Sequence, residues 1–213
     1  MKKTIFGFVM ANLFFLSFCS AYAGPFEDGV AAYKSKNYGQ AATSFRVAAN
    51  QGNTKAQYFL AGLYEQGKGV TQSFEQAATW YRKAADLGYA NAQFNLGNLY
   101  YNGQGVTQSY SQAFSWYQKA ANQNYSSAQN SLGSMYGKGQ SVERSNALEV
   151  YWYQKAVDLG NSHAMYNMGV SAYYGKGVPQ SKDMAISWFK KSAALDNKPA
   201  KAALIKLGIT HAK

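Results

Sequence analysis

The chain has 213 residues, 47% hydrophobic, and a formal net charge of +11 from 21 Lys and Arg against ten Asp and Glu. One cysteine excludes a disulfide framework, and two histidines with scattered carboxylates give neither a metal-ligand spacing nor a paired general acid and base. Catalytic, cofactor-binding and metal-ligating residues are therefore all expected to be absent.

In chain order, Lys2 and Lys3 precede an apolar run over residues 4–18, followed by Ala21-Tyr22-Ala23. Basic, apolar and small-residue regions in this order predict a secretory signal peptide over residues 1–23, cleaved before Gly24. The apolar run of about 15 residues is shorter than the roughly 20 that cross a bilayer, which argues against an uncleaved anchor. Lipidation of Cys19 would need small residues before it, and Phe18 stands there. Cleavage removes Cys19, so a periplasmic or secreted product would rely on packing alone in an oxidising compartment.

Residues 26–52 form a diverged first unit with Lys36-Asn37-Tyr38 as its turn. After it, four Trp residues stand 36 positions apart, Trp80, Trp116, Trp152 and Trp188, in the words WYRKAA, WYQKAA, WYQKAV and WFKKSA. A second word recurs in phase, AQYFLAGLYEQGKGV at 56–70, AQFNLGNLYYNGQGV at 92–106, AQNSLGSMYGKGQSV at 128–142 and AMYNMGVSAYYGKGV at 164–178. A fixed period of this size predicts stacked repeats over residues 24–208, an architecture that exposes long surfaces and works by binding. Within a unit, Ala92, Leu96, Leu99 and Tyr100 form one helical stripe, and Gly103 and Gly105 stop the helix. Ser73 and Ser109, each with Gln three residues later, read as capping boxes opening a second helix. Gly97 inside a helix costs about 1 kcal/mol against Ala and so calls for a packing reason. Residues 200–207 predict a lone capping helix with Ile205 where Gly is expected, and 209–213 a tail.

These words resemble the Sel1-like repeat family, relatives of the tetratricopeptide repeats, over roughly residues 26–208. The resemblance implies an all-α, right-handed superhelical α-solenoid of about five helical hairpins with a C-terminal capping helix. Two departures stand out. Ala61 replaces the usual Gly, and Ser171-Ala172 replaces a Leu-Tyr pair. Some secreted relatives carry a disulfide in each repeat, and this sequence lacks the cysteines for it. The resemblance further implies a scaffold with a protein or peptide partner, held in a concave groove by variable positions of the first helices. Those positions are Tyr58, Asn91, Phe94, Asn98, Tyr101, Asn130, Tyr166 and Tyr173, with Lys55, Glu65, Ser127, Ser134 and His163 beside them. Amides suit a peptide backbone and rings suit apolar side chains.

From Lys176 onward there are eight Lys and two Asp. Lys190, Lys191, Lys198, Lys201 and Lys206 make a basic cap, suited to an acidic partner or to electrostatic contact with an anionic envelope surface. Nucleic acid is not expected for an exported chain without a matching motif. A secreted factor engaging host proteins is the alternative reading. A third, a β-lactamase-like or penicillin-binding enzyme, rests on Ser187-Trp188-Phe189-Lys190, which fits S-x-x-K. The same slot reads Ser115-Trp116-Tyr117-Gln118 one repeat earlier, so the match is a by-product of the repeat.

Overall fold

The computed structural model describes residues 24–209. The predicted signal peptide with Cys19, and the tail residues 210–213 with His211, lie outside the described residues. Among the described residues there are eleven α-helices and no strand: α1 (Pro25–Lys34), α2 (Tyr38–Asn50), α3 (Thr54–Gln66), α4 (Phe74–Asp86), α5 (Ala90–Asn102), α6 (Tyr110–Ala121), α7 (Ser126–Lys138), α8 (Asn146–Asp158), α9 (Ser162–Tyr174), α10 (Lys182–Ala194) and α11 (Lys198–Lys206). The substantial helix contacts all join sequence neighbours. Five hairpins, α1–α2 to α9–α10, stack in a line and α11 closes it, which is an α-solenoid.

Side-chain caps start most of these helices. Asn53, Asn161 and Asn197 cap first helices, and Ser73, Ser109, Ser145 and Ser181 cap second helices, each accepting from the backbone N–H three residues on. Each such cap contributes about 1 kcal/mol. The first helices α3, α5, α7 and α9 all stop at a left-handed glycine, Gly67, Gly103, Gly139 and Gly175.

The core is a column of equivalent side chains. Leu60, Leu96, Leu132 and Met168 are buried at one 36-residue slot, and alanines fill the helix–helix contacts. Trp116 is buried in the cluster that includes Ala92, Leu96 and Leu99 of the preceding first helix, while Trp152 and Trp188 are half-buried against the clusters before them. These clusters also hold residues of the preceding hairpin, Ala84 and Ala85 for Trp116, Ala120 and Ala121 for Trp152, and Tyr153 and Ala156 for Trp188. The ammonium groups of Lys83, Lys119 and Lys191 lie over Trp80, Trp116 and Trp188.

Gly97 has its packing reason in Tyr117. A Cβ at Gly97 would stand 2.6 Å from Tyr117 Cε1. Gly133 faces Tyr153 in the same way and Gly169 faces Phe189, so this glycine slot seats the ring of the hairpin's own second helix. Ala61, the departure from the pattern, is fully buried in that slot, and the Tyr81 hydroxyl lies over Gly62 beside it.

Two further slots join successive hairpins. Gln57, Gln93 and Gln129 are buried and donate from Nε2 to the carbonyls of Ala49, Ala85 and Ala121, joining each first helix to the end of the helix before it. The second loop glycine, Gly69, Gly105 or Gly177, has positive φ and lies on the first residue of the preceding second helix, Tyr38, Phe74 or Asn146. In the third loop the slot holds Ser141, at φ 65°.

Candidate binding groove

The first helices touch one another directly. Asn167 Nδ2 donates to Asn130 Oδ1 at 2.9 Å, and the Tyr101 hydroxyl donates to Gln140 Oε1 at 2.9 Å across one repeat. The first of these joins α9 to α7 and the second joins α5 to the loop after α7, and all eight predicted groove residues belong to α3, α5, α7 and α9.

Rings are the main covering of the groove. Tyr58 packs against Tyr81 at 5.8 Å between centroids and edge-on against Tyr89 at 5.2 Å. One repeat on, Phe94 packs against Tyr117 at 5.7 Å and Tyr125 at 5.2 Å. Tyr166 meets Phe189 at 5.6 Å. In this slot the fourth unit has Asn130, so the ring row is broken there by an amide pair. Tyr101 is half-buried on Tyr110, with the Lys138 ammonium 3.4 Å from its hydroxyl. Tyr173 is 36% exposed and stands edge-on to Tyr174.

Beneath the rings runs a line of tyrosine hydroxyls. Tyr81 donates to Glu65 Oε2 at 2.6 Å, and Tyr117 donates to Asn98 Oδ1 at 2.7 Å. Burial pushes the Tyr81, Tyr117 and Tyr153 hydroxyls well above the usual range, so all three stay protonated donors at neutral pH. In the fourth hairpin, α7–α8, the carboxylate comes from the other helix. Glu149 of α8 reaches over Gly137, where a Cβ would stand 2.5 Å from Glu149 Oε1. Desolvation raises the Glu149 carboxyl, opposed by the Tyr153 hydroxyl, Lys176 and Arg144. The exchange of Glu65 on α3 for Glu149 on α8 has no counterpart in the repeated words.

The predicted basic cap divides. Lys190 and Lys191 are on α10, and Lys191 covers Trp188. Lys201 pairs with Asp196 at 2.6 Å, which holds that carboxyl below its usual range. Lys206 instead joins the groove. It borders a hollow of about 570 Å³ that Tyr166, Tyr173 and Phe189 also line. Three residues predicted for two separate surfaces, Tyr166, Tyr173 and Lys206, thus share one site.

The remaining candidates are exposed, and His163 stands in the 36-residue slot of Asn91. His163 is exposed near the start of α9. Ser187 and Lys190 are exposed on α10, and Ser187 does not line the hollow. Among the described residues, no group of three His, Cys, Asp or Glu could hold a metal ion, and no helix is long and apolar enough to cross a membrane.

The Sel1 repeat model matches four consecutive segments, residues 54–89, 90–125, 126–161 and 162–197. Each begins at the first residue of a first helix, so the matched unit is one hairpin with its outgoing turn. The chain is similar to a protective antigen of uropathogenic Escherichia coli with an SLR fold, at 34% identity and a TM-score of 0.79, over 87% of this chain and 41% of that one. It is similar to a Sel1 repeat protein from Oxalobacter formigenes, at 33% identity and a TM-score of 0.73, over 84% of this chain and 73% of that one. A putative Sel1 repeat protein from Klebsiella pneumoniae, 20% identical with a TM-score of 0.57 over 86% of this chain and 91% of that one, shares the fold. This chain spans less than half the length of the E. coli protein. No curated protein matches it.

Proposed function

The chain belongs to the Sel1 repeat family, whose members generally mediate protein–protein interactions, and from that premise we propose that it is an exported, non-catalytic scaffold holding a peptide or protein segment in a groove along its first helices. The supporting observation is the contrast between slots on that face. Slots that build the array repeat almost unchanged, whereas the one holding Tyr58, Phe94, Asn130 and Tyr166 changes between repeats and presents half-buried rings. Rings of this kind supply apolar contact area at low entropic cost. Asn98 accepts from Tyr117 through its oxygen, leaving its amide N–H groups to donate to a peptide carbonyl, and Asn91 is half-buried one slot earlier.

Export rests on residues 1–23, and the native N-terminus should be Gly24; an intact N-terminus in the membrane, or lipid on Cys19, overturns it. Pull-down from envelope and medium fractions with mass spectrometry identifies the partner. Phe94→Ala combined with Tyr101→Ala should then weaken binding by about 2 kcal/mol or more, roughly 30-fold. Unchanged affinity moves the site off the first-helix face. A second reading, a secreted factor engaging host proteins, is favoured by the likeness to a protective antigen. A partner recovered from host extract and absent from the envelope would select it.

A further inference from the structure

The hollow between α9 and α11 has an internal precedent for what fills it. Ala202 lines it and stands in the 36-residue slot that holds Tyr58, Phe94, Asn130 and Tyr166 in the four preceding first helices. Tyr58, Phe94 and Tyr166 each rest on a ring of the hairpin's own second helix. At Ala202 the ring is missing. What remains is a hollow walled by Tyr166, Phe189 and Tyr173, with Ala202 and Ala203 leaving its far side low. Its volume, about 570 Å³, exceeds that of one large side chain and leaves space for the backbone that carries it.

Its charge is one-sided. Lys198 and Lys206 flank Ala202 at i−4 and i+4, so all three share one side of α11. Neither α9 nor α11 contains an acidic residue. Asp196, just before α11, is already paired with Lys201, and Asp183 is at the far end of α10, in its first turn. Tyr174, another wall residue, has the Lys176 ammonium over its ring. A ring-walled hollow beside cations that have no ion pair among the described residues attracts a segment that is acidic around an aromatic side chain.

We propose that this hollow binds an aromatic side chain of an acidic peptide segment of the partner, with Lys198 and Lys206 holding the flanking carboxylates. The proposal rests on the reading of the first-helix face as a peptide groove, and assigns its C-terminal end a ligand class. Binding here needs neither Phe94 nor Tyr101, which stand two repeats away.

The test uses a fluorescein-labelled peptide with one Trp between two Glu on each side, followed by fluorescence anisotropy on the purified array. Control peptides replace Trp by Ala, or every Glu by Lys. Both controls should bind at least about tenfold more weakly than the parent. Ala202→Tyr, which supplies the missing ring from within, should weaken the parent peptide by about tenfold or more. Lys206→Glu should do likewise and flatten the salt dependence. Both positions are exposed, and circular dichroism and the melting temperature should match wild type. Phe94→Ala with Tyr101→Ala should change the affinity by no more than about twofold, since distant sites act independently. Equal binding of the Trp and Ala peptides overturns the inference, as does full binding by Ala202→Tyr. Loss through Phe94→Ala with Tyr101→Ala alone also overturns it, while sustaining the groove. Should the free protein sediment as a dimer that Ala202→Tyr dissociates, the occupant is a second copy and the inference fails. Failure of every peptide overturns the inference only, since the groove is tested with the partner recovered by pull-down.

Discussion

Gly105→Ala tests the joint between hairpins more sharply than any core truncation. Gly105 has φ 66°, where a β-carbon costs about 1–2 kcal/mol. The added Cβ would also overlap the Phe74 carbonyl and stand 2.5 Å from the Glu75 nitrogen. Those are backbone atoms at the start of α4, so no side chain can swing aside. Overpacking of this kind costs about 1–3 kcal/mol. The two effects together predict a loss of about 2–5 kcal/mol. Gly88→Ala separates them, because Gly88 has φ 87° and nothing within 4 Å of its would-be Cβ. It should lose only the conformational part, about 1–2 kcal/mol. Urea unfolding read by the fluorescence of the buried Trp80 and Trp116 measures both. The broken joint should also split the Gly105→Ala transition into two steps, because each repeat is held by its neighbours. Equal losses in the two variants would mean that the loop does not press on α4, and would refute the account of the joint.

Three other outcomes follow. Ser141→Gly should raise stability by about 1 kcal/mol in a thermal melt, since Ser141 is held at φ 65° where the equivalent loops have glycine. Trp116→Ala should destabilise by about 3–5 kcal/mol in urea, because the ring is 6% exposed within the preceding repeat's cluster; an unchanged midpoint would refute that burial. Glu149→Gln should stabilise at pH 7. Desolvation raises the folded carboxyl above its ordinary value of 4.5, so the ionised form costs stability above the folded pKa and the cost disappears as pH falls through that value towards 4.5. The gain should therefore fade in acid, as melts of both proteins across that range would show, and a gain independent of pH would point to packing instead.

The array was legible because each structural demand recurs every 36 residues. Gly97 was readable as a packing glycine from its own helix pattern, and Tyr117 supplies the reason. The Ser73 and Ser109 caps were equally visible, since they act within three residues. The buried glutamines were printed in the same words, yet a Gln at one place in a helix signals nothing until the neighbouring helix end is known to offer a free carbonyl. The groove was legible only as a face. Which side chains on it pair with one another depends on contacts across repeats, such as Asn130 with Asn167, and on substitutions that compensate between helices, such as Gly137 with Glu149. The basic cap read as one patch because sequence counts charge and ignores direction. On the structure, Lys201 is spent on Asp196 and Lys191 lies on Trp188, while Lys206 turns to the rings.

The end of the array and the proposed hollow have a common cause. Gly97, Gly133 and Gly169 stay bare so that the ring of the following helix can lie against the backbone. The same slot of α11 is Ile205, 65% exposed. A ring of the repeated kind laid on α11 would meet that side chain instead of bare backbone, and among the described residues no second helix follows α11. Without that helix, an aromatic residue at position 202 would have no ring beneath it and would stand in solvent on one side. Alanine there avoids that exposure, and the space next to Tyr166 is left open. Among the described residues, α11 thus leaves unfilled the contact that the hairpins of Tyr58, Phe94 and Tyr166 close from within, and Lys198 and Lys206 set which charge an outside segment must carry to close it.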